Sequence, residues 1–357
     1  MFKIIKVEEI TTKRSILIRC ISIILAFLVV AAFISILGLN PIEVYGAMIK
    51  GSFGSLYSTK ETIVKAIPLI VTALGVSIAF KMQFWNIGGE GQIVMGALFS
   101  SYFALNFSDM NKLLLLTIMA VAGMVGGAIW AYIPSILKFK FNTNETIVTL
   151  MMNYIALKFV TYLQYGPWKD PKAQGFPKIA SFSDNAVLPE VMGVHLGWIM
   201  ALVLIIAVHI FINHTKKGYE ISVLGESEKT AIYAGINIKR TLIVAMLLSG
   251  GLCGLTGMIQ ASAVSGTLSV EVSGGVGYTA IIVAWLSALK APVILIVGVL
   301  FAALLEGGAF IQTAFGIPEA AALILQSTIL FFVLGSEFFI KYKVLRKNTA
   351  KALKEAA

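Results

Sequence analysis

The chain is 357 residues long, 58% hydrophobic and only 13% charged, with a formal net charge of +10. Soluble domains carry about a quarter charged residues, so the composition excludes a protein whose surface faces water throughout. The positive excess sits in loops where anionic lipid headgroups account for it, and no nucleic-acid partner is expected.

Crossing the hydrocarbon takes about 20 mostly apolar residues at about 1.5 Å each. In chain order, candidate spans fall at 17–39, 63–80, 91–107, 113–137, 145–165, 194–212, 241–263, 277–289, 291–314 and 320–340. The first holds the uncharged run Cys20 to Leu39. That run exceeds the roughly 7–15 residues of a secretory signal core, and no clear cleavage site follows it, so it is read as a span. Uncharged runs from Leu113 to Leu137 and from Thr241 to Val270 define the fourth and seventh spans, whereas the eighth is short. The expected fold class is all-α, a polytopic transmembrane helical bundle of about ten spans, with 1–357 forming a single transmembrane domain.

Basic residues are retained on the cytoplasmic side of membrane loops. With the N-terminus inside, 20 of the 28 Lys and Arg residues fall in cytoplasmic segments. This places 1–19, the connection 213–240 and the basic tail 341–357 in the cytoplasm, in a plasma or inner membrane with both termini inside. Only two connections are long: an outer one from Gly166 to Gly193 with four prolines, and the inner one from Asn213 to Arg240.

The third span is approached through "FWNIGGEGQIVMGAL", Phe84 to Leu98. Its Gly-Gly-x-Gly pattern returns 186 residues later, where "IGGEGQIVMGAL" from Ile87 aligns with "SGGVGYTAIIVA" from Ser273. One copy starts a span at the cytoplasmic face and the other at the external face, which predicts an inverted repeat with broken helices. Glycine-interrupted spans at matching positions mark solute routes in transporters, while packing of small residues is the competing reading. The pathway candidates are Asn86, Gly88, Gly89, Glu90 and Gln92, with Gly274, Gly275, Gly277 and Tyr278. Gly251, Gly254 and Gly257 recur every three residues without polar company and read as packing.

Asn153, eight residues into the fifth span, reads equally as interhelical glue and as a solute contact. Glu306 interrupts the ninth span and Lys158 the fifth. A charge at membrane depth costs at least about 2.5–3.5 kcal/mol, so each either snorkels independently, the reading the residues alone favour, or the two share a polar cavity as a pair. Cys20 and Cys253 make no disulfide framework, and His195, His209 and His214 no metal motif. No catalytic residue, metal or cofactor is expected. With no G-x-x-x-x-G-K-[ST] phosphate loop in the sequence, any ATP that drives transport must bind another polypeptide.

The inner connection reads "KKGYEISVLGESEKTAIYAGINIKR". Its middle, Glu226 to Ala234, is polar and ends at Gly235, a helix-stop signal. It reads as a short cytoplasmic helix that docks a soluble partner, or as a solvated loop.

Four stretches together, "FWNIGGEGQIVMGAL", "NTNETIVTLMMNYIA", "GYEISVLGESEKTAIYAGIN" and "GYTAIIVAWLSALKAP", resemble the permease subunits of ABC importers for nucleosides and simple sugars. They resemble members of the larger group that includes ribose and branched-chain amino-acid permeases. The resemblance covers most of the chain from the second span onward, and the first two stretches resemble the nucleoside branch more specifically. It implies two such permease subunits, identical or merely similar, two cytoplasmic ATPase subunits that bind the ATP, and an external substrate-binding lipoprotein. It also implies a coupling segment at Leu224, Gly225, Glu226, Ala231, Gly235, Ile236 and Asn237. Ser222, Val223 and Ser227 depart from residues common in the family there. A ribose-type permease, an ion-coupled secondary transporter and a membrane receptor or scaffold are the rival readings.

Overall fold

In the computed structural model, which describes residues 2–6 and 12–346, the uncharged runs are helices. In chain order these are α1 Thr12–Ile36, α2 Pro41–Phe53, α3 Leu56–Lys81, α4 Gly89–Asn106, α5 Lys112–Phe141, α6 Glu145–Tyr165, α7 Gly197–His214, α8 Lys216–Glu226, α9 Glu228–Tyr233, α10 Ile238–Ile259, α11 Val276–Leu286, α12 Ala291–Phe315 and α13 Glu319–Lys341. Short strands β1 Phe2–Lys6, β2 Glu190–Val191, β3 Val194–His195 and β4 Tyr342–Arg346, a 3-10 turn at Asp184–Ala186 and a π-helical segment at Gln260–Ser265 complete the described elements.

Eight of these helices are long and apolar enough to cross a membrane. The ten expected spans thus separate into those eight and two others, α4 and α11, which carry the glycine motifs. Glu90, Gln92, Asn106 and two serines, Ser100 and Ser101, dilute the apolar content of α4. The C-terminal end of α11 comes early, because Ala288 and Leu289 adopt positive φ of +48° and +57° and terminate the helix before residue 289. The element order long helix, glycine-bearing approach, shorter helix, long helix, long helix occurs twice, as α3–α6 and as α10–α13.

Sequence periodicity missed α2. Its start is a local device: Asn40 accepts a side-chain hydrogen bond from the Ile42 amide at 3.0 Å, and Pro41 occupies the first helical position, where no amide donor is needed.

The chain forms two compact units. The larger, Lys60–Ala302, is built on the crossing of α4, α5 and α10. Small residues let these helices approach closely, the usual means of association where lipid removes the hydrophobic drive. A Cβ placed on Gly254 of α10 would lie 2.9 Å from the Gly127 Cα of α5. Gly254 and Gly257 pack as expected, but Gly250 completes their face, since Gly251 meets only ordinary contacts to Met124. A hydroxyl pair, Thr72 to Thr256 at 3.1 Å, ties α3 to α10.

The other unit combines residues up to Thr59 with those from Ala303 onward. Here α1 lies on α13, with Ala26, Val30 and Ile34 in one buried cluster with Ala322, Leu325 and Ile329. Arg19 pairs with Glu337 at 2.7 Å. The strands β1 and β4 pair antiparallel, Phe2 opposite Arg346, so segments near both chain ends lie side by side.

Candidate functional site

The two glycine motifs meet at one carboxylate. Glu90, in the first turn of α4, is buried at 5% exposure. Its Oε1 accepts from the Gly275 amide at 2.9 Å and its Oε2 from the Gly277 amide at 2.7 Å. These belong to the donors that the start of α11 leaves unpaired. An anion there gains from charge-assisted hydrogen bonds and from the positive end of the helix dipole. Gly275, the residue before α11, holds φ +76°, a conformation that side-chain-bearing residues rarely adopt. At Gly277 the approach itself demands glycine: an ideal Cβ would sit 2.6 Å from both the Cα and Oε2 of Glu90.

Asparagine side chains hold the approach to α4 in place. Asn86 is fully buried. Its Oδ1 accepts from the Gly88 amide and from Gln92 Nε2, both at 3.0 Å. Its Nδ2 donates to Gln92 Oε1 and to Ser249 Oγ on α10, both at 3.2 Å. From α6, the buried Asn153 Oδ1 accepts from the Gly91 amide at 2.9 Å. Its Nδ2 donates to the Ile87 carbonyl at 2.9 Å and to the Tyr278 hydroxyl at 3.2 Å. One turn earlier, Thr149 Oγ1 accepts from the Ile87 amide at 3.2 Å. The amide of Asn153 therefore bonds α4, α11 and the intervening backbone together, which is the geometry of glue. Buried polar groups satisfied in this way avoid the desolvation penalty of orphaned ones.

The pathway candidates of the Lys60–Ala302 unit thus fall in one network: Asn86, Gly88, Gln92, Glu90, Asn153, Gly275, Gly277 and Tyr278, with Gly89 beside Gly277 and Gly274 in the turn before α11. Glu306 is partly buried on α12, in the other unit. Lys158 is exposed on α6 and forms no ion pair among the described residues.

Several members escaped the sequence reading. Thr149 stands four residues before Asn153, a spacing that puts both on one helix face. Ser249 lay hidden beside the glycines read as packing. An aromatic cluster forms where Trp85 stacks on Trp285 at 5.5 Å and 26°, with Phe80 against both.

The inner connection touches the approach to this network. Gln83, at φ +59°, donates from Nε2 to the Gly225 carbonyl at 2.5 Å. A cleft of about 300 Å³ opens beside this bond, lined by Met82, Phe84, Lys138, Leu224 and Glu228 among others. Lys138 and Glu145 pair at 2.8 Å on its wall. The short helix expected over 226–234 is α9, which starts only at Glu228: the extended backbone of Ser227 ends the preceding α8, and its hydroxyl caps α9 by accepting from the Thr230 amide at 3.2 Å. Gly235 turns the chain at φ +70°, and the Asn237 side chain caps α10 through the Arg240 amide at 3.0 Å. Of the coupling residues, Gly225 and Ala231 are buried, Leu224 and Ile236 partly buried, and Glu226, Gly235 and Asn237 exposed. Ile232 and Tyr233 between them are also exposed, Tyr233 at 92%.

Two titrating groups outside the spans are displaced from their ordinary ranges. A hydrogen bond from Lys217 holds the buried Glu220 carboxyl below the usual carboxylate range, assisted by Thr241 Oγ1 at 2.9 Å and opposed by burial. The bond that Thr241 donates to Glu220 ties α10 to α8. In the outer connection, burial pushes the His195 imidazole down, with Glu190 opposing. His195 Nδ1 accepts from the Gly197 amide at 3.3 Å.

A bundle with eight helices long and apolar enough to cross a membrane marks a multi-pass membrane protein. Residues 58–334 match the family of branched-chain amino acid transport system permease components, and the chain belongs to that family of ABC transporter permeases. It is 33% identical to the glucose ABC transporter permease protein TsgB13 of Haloferax volcanii, over 86% of this chain and 84% of that one. It is 32% identical to the nucleoside ABC transporter permease protein NupB of Lactococcus lactis subsp. cremoris, over 95% and 96%. Identity to the guanosine ABC transporter permease protein NupP of Bacillus subtilis is 31%, over 90% and 93%. The protein is thus a permease of the nucleoside and sugar importer group, a transport component that acts within a complex.

Proposed function

We propose that this permease imports nucleosides by alternating access, powered by separate cytoplasmic ATPase subunits and supplied by an external binding lipoprotein. A second permease subunit, the same chain or a similar one, completes the route. Both termini lie in the cytoplasm, a placement supported by the loop charge and by the pairing of β1 with β4. The nucleoside reading is supported by the near-complete coverage of NupB and NupP. TsgB13 keeps a simple sugar as the second reading.

One observation carries the mechanism: the Gln83–Gly225 bond joins the cytoplasmic connection to the backbone that leads, seven residues on, to Glu90. Movement of α8 and α9 by a docked ATPase would pull on the approach to α4 and hence on the α4–α11 junction. Coupling of this kind requires that solute and ATPase bind the inward-open and outward-open states with different affinity. The phenol of Tyr278 and the ring of Trp85 border the junction and supply polar and aromatic surface to a passing solute.

The test is reconstitution of the permease with its ATPase subunits in vesicles loaded with ATP, with the binding lipoprotein added outside, followed by labelled guanosine uptake. Uptake that needs both ATP and the ATPase supports the reading. ATP-independent uptake by the permease alone would transfer it to the ion-coupled class, and glucose uptake without guanosine uptake to the sugar branch.

A further inference from the structure

Helix α6 has two contrasting faces. Thr149, Met152, Asn153, Ala156, Val160 and Leu163 are buried. The opposite face carries Ile147 and Met151 near its start and Tyr154, Lys158, Tyr162 and Tyr165 from its middle onward. At about 100° per residue, these six exposed positions fall within about 80° of arc. Tyr154 is 54% exposed, and Tyr162 and Tyr165 are each 64% exposed.

The composition of this strip is wrong for lipid. Tyr154 stands nine residues into a helix of 21, about 14 Å from its start, far from the interfacial belt where tyrosines ordinarily collect. Its neighbour Asn153 bonds both the first turn of α4 and the Tyr278 hydroxyl, so Tyr154 lies at the level of the α4–α11 junction. Four residues on, the Lys158 backbone is still about 10 Å from the end of the helix, and charged residues at such depth face water or a partner rather than acyl chains. Contact with another helix fits no better, since close helix pairing in membranes favours small residues and this strip carries some of the largest.

We propose that the Tyr154–Lys158–Tyr162–Tyr165 strip, continued by Tyr278, is the wall of the solute route and a binding surface for nucleosides. Phenol rings offer stacking faces for a base. Their hydroxyls both donate and accept towards ribose oxygens, and the ammonium donates to carbonyl oxygens of the base. The first half of the strip is apolar, so the polar wall starts at the junction and runs towards the end of α6 that the charge rule places outside.

The inference rests on the transport reading above, but its first measurement does not. In the full chain bearing Cys20→Ala, reconstituted with its ATPase subunits, single cysteines are placed at Tyr154 and Lys158 on the strip and at Ile155 and Phe159 on its flank. Cys253 is fully buried and stays. A charged, membrane-impermeant thiosulfonate is expected to modify Tyr154→Cys and Lys158→Cys about tenfold faster than Ile155→Cys and Phe159→Cys, and guanosine but not glucose is expected to slow the strip reactions. Lys158→Met, inserted at unchanged level, is expected to raise the KM for guanosine about tenfold with little change in maximal rate. Equal labelling on strip and flank overturns the proposal, as does fast labelling that guanosine leaves untouched or that only glucose slows. Failure of the parent protein to take up guanosine strikes the transport reading instead, and leaves the labelling pattern to judge whether this face is wet.

Discussion

Replacing Glu90 with glutamine tests the junction with almost no change in shape. In the parent, one carboxylate accepts from two amides of α11, at 2.9 and 2.7 Å. The glutamine carbonyl satisfies one of them, and its NH₂ group turns a donor towards the other. Hydrogen bonds to a charged group contribute about 1.5–3 kcal/mol and neutral ones about 0.5–1.5, while a buried donor left unpaired costs about 1–3 kcal/mol. Glu90→Gln is therefore expected to destabilise the closed junction by about 2–5 kcal/mol. Thermal unfolding of the purified permease in detergent reads this as a lower midpoint. Reconstituted with its ATPase, the variant is expected to hydrolyse ATP with reduced solute uptake, because the moving parts are no longer held in register. Unfolding and uptake both indistinguishable from the parent would refute the reasoning, since a buried carboxylate bridging two helix starts cannot be neutralised without consequence.

Gly277→Ala places a methyl against the Cα and Oε2 of Glu90, and overpacking of this kind costs about 1–3 kcal/mol; lower membrane levels and lower uptake are expected by immunoblot and transport assay. Gln83→Ala removes the bond to Gly225 and is expected to leave insertion and ATP hydrolysis in place while uptake falls. Substitution of Gly235, at φ +70°, by a bulky residue is expected to act in the same direction, and unchanged uptake would count against docking by α9. Glu220→Gln is expected to lower the unfolding midpoint at neutral pH. Because the folded carboxyl titrates below its unfolded value, its contribution is complete above about pH 4.3 and is lost as pH falls through the folded value. The gap between parent and variant is therefore constant from pH 7 to 5 and closes only in stronger acid.

The glycine repeat was legible because its spacing survives in the one-dimensional chain, and the helices that carry it touch in three. Long spans were legible for the same kind of reason: an uncharged run of 25 or 30 residues has few alternatives in a bilayer. The assignment of Asn153 to glue was not legible, since an amide eight residues into a span is equally at home against solute or backbone until its partners are known. Ser249 was obscured by the glycines around it, and α2 by a capping asparagine whose effect is local and leaves no periodicity. The break at Ser227 falls in a polar stretch where helix and turn propensities nearly balance, so a single hydroxyl cap decides it. Lys158 shows the limit most clearly: sequence gives its depth in the membrane, whereas its direction depends on how α6 is rotated by its buried face.

The brevity of α11 also bears on how the molecule is made. Its 11 residues rise about 16 Å, roughly half the hydrocarbon thickness of about 30 Å, too little for the insertion machinery to accept as an independent stop. It must enter the bilayer on the strength of partners already there, and the first turn of α4, synthesised nearly two hundred residues earlier, is the partner that receives it. Nascent chains halted before Val276 would hold the Glu90 carboxylate without the two α11 amides that bond it in the finished protein.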